Sequence, residues 1–275
     1  MIDLKHDAAT ITRFNQRSHD IVKRHKEELL SRIKNEPQRI IIHYYLSVLH
    51  ELCEQACGCL TVRAYSAAEA LSRVIIEQSA NLLYVAMDTG ENARALLRSS
   101  KMLTQQNGNN WVAYLNTHGV DNPAAQARRA NGAALLLDFD KRWPDVDPYP
   151  KGKKLFVGID WENHYHAFYA PLCDSVHTFS DDLSNLVGIG ELFATSPQDG
   201  VHMLAYWEKE HHRLATYHCA VAVGLRGEAL GRICDVLDFA PALMEIKEIA
   251  TDLQCLVERH EQFDRARISD TAEPT

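Results

Sequence analysis

Arg73, Glu77 and Asn81 recur at every fourth residue inside the most apolar helical run of the chain, Ala67 to Met87. That interval places a guanidinium, a carboxylate and an amide on one stripe of a helix that otherwise reads as buried. A buried arginine without a carboxylate is costly, so Glu77 one turn away and groups on a second helix should satisfy it. The second helix is the apolar run from Tyr165 to His177, which carries Tyr165, Tyr169, Cys173, Asp174 and His177. Two readings follow. In the chemical one, Arg73, Glu77 and His177 form a catalytic set, with Asn81, Tyr165, Tyr169 and Asp174 binding the ligand. Glu77 or His177 would move protons while the Arg73 fork holds a phosphate or carboxylate oxygen. In the structural one, the same groups are a satisfied network that fixes helix register. Both require Arg73 and His177 to meet across packed helices.

The elements that must position these groups are almost all helical. Ile11, Phe14, Ile21, Leu29 and Ile33 stripe a first helix that Pro37 should stop. Helices follow over Gln38 to Leu60 and Arg63 to Asp88, the latter closed by Thr89-Gly90, and the pair should form an antiparallel hairpin. Glu91 to Gln106 and Trp111 to Thr117 read as a helix broken at Asn107-Gly108-Asn109-Asn110. Asp121 or Asn122 caps the next, from Pro123 to about Arg142. The segment Trp143 to Gly158 is an irregular connector and the best hinge; within it only Lys154 to Val157 alternates as a strand would. Asp160 can cap a helix from His166 to Leu183, kinked at Pro171. Gly188 to Gly200 reads as a loop, and Val201 to Leu225, Gly227 to Phe239 and Pro241 to Arg265 as the closing helices. The fold class is therefore all-α, an irregular bundle of about eight helices around a single core. Its organisation is an N-terminal amphipathic helix (1–37), a bundle domain (38–265) and a frayed polar tail (266–275).

Composition narrows the function classes. The 275 residues are 46% hydrophobic and 24% charged, which is globular. The uncharged stretch Leu214 to Leu225 is too short for a bilayer span of about 20 residues. The start, Met1 to Asp7, lacks the order of a secretory signal, so a cytosolic protein is expected. Seven scattered cysteines fit reduced core thiols, and the Cys53, Cys57 and Cys59 spacing builds no tetrahedral metal site. No cofactor is implied. A net charge of −8 disfavours a broad nucleic-acid surface, so RNA remains open without being implied. Locally, Arg13, Arg17 and Arg24 share a face that could meet an anionic partner.

Other motifs carry less. Arg13-x5-His19 and Arg213-x4-His218 match the Arg-x4-6-His pair of some helical ribonucleases, but a chain this rich in both residues holds about three such pairs by chance. Glu208-x-x-His211 and Asp174-x-x-His177 fit a dimetal carboxylate bundle, against a plainer reading as solvated faces. Cys173 and His177 would form a nucleophile and base only if both faced one cavity. Gly224 to Gly231 lacks the preceding strand of a phosphate loop, and its small residues more plainly let helices approach.

The run Leu71 to Val85, with its Arg73-x-x-x-Glu77 core, and the segment Tyr165, Tyr169, Leu172, Cys173, Val176, His177 together resemble the domain-of-unknown-function 5677 family of prokaryotic proteins. In that family the second segment closes Leu-Ser-x-x-Val-His. Cys173 replaces the serine here, and Thr178-Phe179 stands where a proline is common. The resemblance covers about Gln38 to Asp182 and implies a helical fold without an assigned activity. The expected role is an interaction or effector component of a prokaryotic defence or mobile-element system, with a protein partner or an anionic ligand. The alternatives are a metal-independent ribonuclease using His177 and Arg73, whose two sites a homodimer would bring together, and, more weakly, a dimetal bundle enzyme.

Overall fold

The computed structural model describes residues 2–176 and 181–271. The periodicity of the first helix is realised in α1 (Leu4–Ser31), where Asp3 accepts hydrogen bonds from the Lys5 and His6 amides and Ile11, Phe14, Ile21 and Leu29 are buried. Pro37 does not stop this helix. It sits in the first turn of α2 (Glu36–Thr61), where its missing amide proton costs nothing, and Asn35 caps that helix through the Gln38 amide. The α2 and α3 (Tyr65–Ala86) pair forms the expected antiparallel hairpin, tied by Gln38 Nε2 donating to the Val85 and Asp88 carbonyls at 2.8 and 2.6 Å. Gly90, at φ +121°, turns the chain into α4 (Glu91–Thr117) against the Asn35 side chain, where no Cβ would fit.

One break expected from glycine is absent and another shrinks to Ser196. α4 runs unbroken through Asn107 to Asn110, because Gly108 lies where a Cβ would stand 2.9 Å from the Arg129 Cα of α5 (Pro123–Arg142). Residues Gly188 to Thr195 belong to α9 (Asp181–Thr195) instead of a loop, and Gly200 lets that helix meet the next through Phe193. In both places a turn residue serves close helix packing, a tertiary demand that overrides local propensity. The expected closing helices Val201 to Leu225 and Gly227 to Phe239 are one 40-residue helix, α10 (Pro197–Val236), and α11 (Ala240–Thr271) continues past Arg265.

The connector is more ordered than its prolines suggest. Lys153 to Val157 is the short helix α6 where alternation hinted at a strand, and its Leu155 and Phe156 are buried in the main core with Ile159 and Trp161. Asp160 caps nothing; it is exposed at φ +61°, and the helix begins beyond Trp161 as α7 (Glu162–His164). A π turn over Tyr165–Tyr169 then leads into α8 (Ala170–Val176). Pro171 explains the widening. It offers no amide proton and its ring crowds the carbonyl four residues back, so the helix loosens by a residue just before it.

α3 lies between α2 and α10, and α1 packs on α2, α10 and α11. The main core runs through all of these, while α4 and α5 pair chiefly with each other. The architecture is all-helical, with no strand among the described residues and more helices than the eight expected, since α6 and α9 replace segments read as irregular. No helix among the described residues is long and apolar enough to cross a membrane.

Two polar ties hold the outer helices to the core. Arg226 of α10, 1% exposed, donates to Asn15 Oδ1 at 2.6 Å and Ser18 Oγ at 3.0 Å of α1. Buried Asp7 of α1 accepts from Arg259 and pairs with His260 of α11 at 3.0 Å.

Candidate functional site

The stripe on α3 does meet the segment after the connector, and the π turn sets which groups it meets. By inserting a residue it swings Tyr169 over α3, so that the Tyr169 hydroxyl donates to Glu77 Oε2 at 3.0 Å. Arg73 donates through Nε to Cys173 Sγ at 3.1 Å and through Nη2 to the Tyr169 hydroxyl at 3.4 Å, and lies 3.5 Å from Glu77 Oε2. The guanidinium carbon also sits 5.5 Å above the Tyr169 ring. Arg73 and Glu77 are 24% and 36% exposed at the side chain, so the pair is shielded on one side and open on the other.

Asn81 is 6% exposed and accepts a hydrogen bond from the Tyr149 hydroxyl, which anchors the connector to α3. Tyr84 meets the Tyr149 ring edge-on at 5.7 Å. Tyr165 contributes its ring, packed against Phe156 at 5.4 Å and Tyr169 at 5.7 Å. Asp174 is exposed, and the Arg73 hydrogen bonds go to Cys173 and Tyr169 instead. His177, with the Thr178-Phe179 that follows it, lies outside the described residues.

Above this network is a cleft of about 410 Å³, floored by Tyr45, Tyr149 and Tyr169 around Glu77 and Asn81, with Lys151 among its exposed residues. Three elements supply the tyrosines: α2, the connector and the π turn. Burial pushes all three phenols above their ordinary range, and the Glu77 carboxylate adds to the rise in each. They are therefore neutral hydroxyls at physiological pH. The contacts of Glu77 run through Oε2, and Oε1 makes no hydrogen bond among the described residues.

A family model now matches residues 39–191, more than half of the chain, and its description is a family of unknown function, DUF5677. The chain belongs to this family. The match spans every described group of the network, from Tyr45 to Cys173, and supplies no activity. Neither a curated protein nor a solved structure matches the DUF5677 chain.

The α3 stripe extends one turn further than its sequence spacing first suggests. Glu69, four residues before Arg73 and 7% exposed, sits between His211 and His218 of α10 at 3.6 and 3.1 Å. Burial pushes its carboxyl up, but hydrogen bonds from the two imidazoles outweigh that and bring it down to about 2. Extending the four-residue interval backward would have found it. Tyr45 and Tyr149 had no such signal, since one looks like an ordinary core tyrosine and the other lies between two prolines.

The remaining motifs resolve individually. Arg213 is held by Glu210 and Asp264 while His218 faces Glu69, so that Arg-x4-His pair is not assembled. Arg13 is exposed and His19 stacks on His50. Glu208 is exposed, and among the described residues no group of three or more His, Cys, Asp or Glu side chains is placed to hold a metal ion. All seven cysteines are free thiols.

Proposed function

We propose that this chain is a ligand-binding interaction protein whose recognition site is the tyrosine-lined cleft around Glu77. The observation that carries the reading is that Tyr45, Tyr149 and Tyr169 line one cleft with Glu77, which accepts from Tyr169 through Oε2. Groups that transfer protons are tuned toward the working pH, whereas these phenols are pushed away from it. They suit holding and stacking. Arg73 donates through Nε to Cys173 and through Nη2 to Tyr169 and lies beside Glu77, so it braces the carboxylate.

The favoured ligand is a small polar molecule, or a partner side chain, that brings a hydrogen-bond donor to Glu77 and a flat body to the tyrosines. Lys151 at the cleft suits an anionic group on the same ligand, which keeps the expectation of an anion in a narrower form. Thermal-shift screening of amino acids, amines, amides and nucleotides against the wild type, Glu77→Gln and Tyr149→Phe tests this. At least one compound should raise the wild-type melting temperature and lose that effect in Glu77→Gln. Equal stabilisation of both proteins would defeat the proposal, as would RNA cleavage by the wild type that disappears in Arg73→Lys.

A further inference from the structure

A second cavity, of about 640 Å³, lies between α10 and α11, helices outside the span of the family match. Its walls are mainly apolar, with Leu243, Ile246 and Leu253 of α11 facing Gly224 and Gly231 of α10 and Phe168 joining from the π turn. The size falls within the roughly 300–1,000 Å³ of small-molecule sites.

The glycines are informative because α10 carries three of them beyond its first turn. Gly227 has a packing reason, since a Cβ there would lie 2.6 Å from Phe14 Cζ. Gly224 and Gly231 have none: their nearest neighbours would be Leu253 Cδ2 at 3.6 Å and Leu243 Cδ1 at 3.7 Å, ordinary contacts. Each costs the helix about 0.5–1 kcal/mol relative to alanine. What their missing side chains do is leave the cavity open.

One charged group at the rim of the cavity, its side chain 44% exposed, is held in place. Glu228 Oε1 accepts a hydrogen bond at 2.8 Å from Nε1 of fully buried Trp161, which fixes the carboxylate, and Oε2 stands 3.9 Å from His164 Nε2, beyond hydrogen-bond reach. His164 Nδ1 is buried without a partner. Arg232, which also lines the cavity, donates to the Ile159 carbonyl at 2.7 Å and lies 3.8 Å from Asp160. The other charged residues of the lining are Lys247 and Asp235, both exposed, and Glu261, which is engaged with Tyr217 and Arg265.

We propose that this cavity binds an amphipathic amine, with an alkyl or aryl body against the α11 leucines and isoleucine and a protonated amine on Glu228. The charge of the fixed carboxylate selects the head group, and the two unneeded glycines admit the body. Calorimetric titration with n-decylamine, 1-decanol and decanoate, each kept monomeric, tests both halves. Decylamine should bind with one-to-one stoichiometry and tighter than decanoate. Glu228→Gln keeps the Trp161 hydrogen bond and should weaken decylamine at least about tenfold while changing decanol little. Gly224→Phe should abolish binding of both, with a melting temperature no lower than wild type; Gly231→Leu makes the same test if that variant misfolds. The proposal is overturned if the wild type shows no saturable binding, if decanoate binds better than decylamine, or if a folded cavity-filling variant binds as before.

Discussion

Replacing Glu69 by glutamine removes the charge at the start of the α3 stripe while keeping its shape. The wild-type carboxyl is brought from 4.5 down to about 2 by His211 and His218, and the side chain is only 7% exposed, so solvent screens little of this. A depression of that size corresponds to about 3 kcal/mol of preferential stabilisation of the ionised form. The amide still accepts one hydrogen bond, so Glu69→Gln should lose about 2–3 kcal/mol at pH 7, a drop of roughly 5–10 °C in melting temperature. Because the folded-state pKa is depressed, the carboxylate's contribution is complete above about 4.5 and fades as the pH falls toward 2. Urea denaturation followed by circular dichroism at pH 7, 5, 4 and 3 reads both effects. The difference between the two proteins should shrink as the pH falls below 5. A loss under about 1 kcal/mol at pH 7, or a difference that ignores pH down to 3, would refute the reasoning.

Other perturbations probe separate parts of the structure. Tyr149→Phe leaves buried Asn81 Oδ1 without its donor and should cost about 1–3 kcal/mol in a urea melt, with the connector becoming more sensitive to limited proteolysis. Gly227→Ala should destabilise by about 1–3 kcal/mol through its clash with Phe14, whereas Gly231→Ala should stabilise by up to about 1 kcal/mol, a contrast that thermal melting resolves. Burial lowers the pKa values of His19, His50, His164, His212 and His260, so each is more readily protonated when unfolded. Their stabilisation is complete above about pH 6.5 and is lost as the pH falls through the depressed folded values, and the urea midpoint should therefore drop between pH 7 and 5. Replacing His50, whose ring stacks on His19 at 3.6 Å, with phenylalanine should flatten part of that slope.

The sequence disclosed the parts of this fold that rest on periodicity and caps. The stripe from Ile11 to Ile33, the α2–α3 hairpin, the Asn122 cap with Pro123 and the α3 polar stripe all lie where hydrophobic spacing and turn chemistry put them. It misled at Gly108 and Gly200, which look like punctuation until the neighbouring helix is present, whereas the small residues around Gly227 were legible as a place where helices approach. For the site, the four-residue interval identified Arg73, Glu77 and Asn81, and the apolar run from Tyr165 to His177 identified the segment across from them. Cys173, Tyr169 and Glu77, rather than Asp174, satisfy Arg73, since the π turn rotates the face presented to α3. Periodicity cannot anticipate a helix that changes its own period. Tyr149 was hidden for a related reason: an irregular segment has no repeat to reveal which side chain it buries.

A crystal structure of the protein with the most stabilising compound from the thermal-shift screen tests the central claim most directly. The ligand should lie in the tyrosine-lined cleft, with a donor atom within about 3 Å of Glu77 Oε1 and its body against Tyr45, Tyr149 or Tyr169. A ligand seated elsewhere, with the cleft unchanged and Glu77 still bound only to Arg73 and Tyr169, would contradict it.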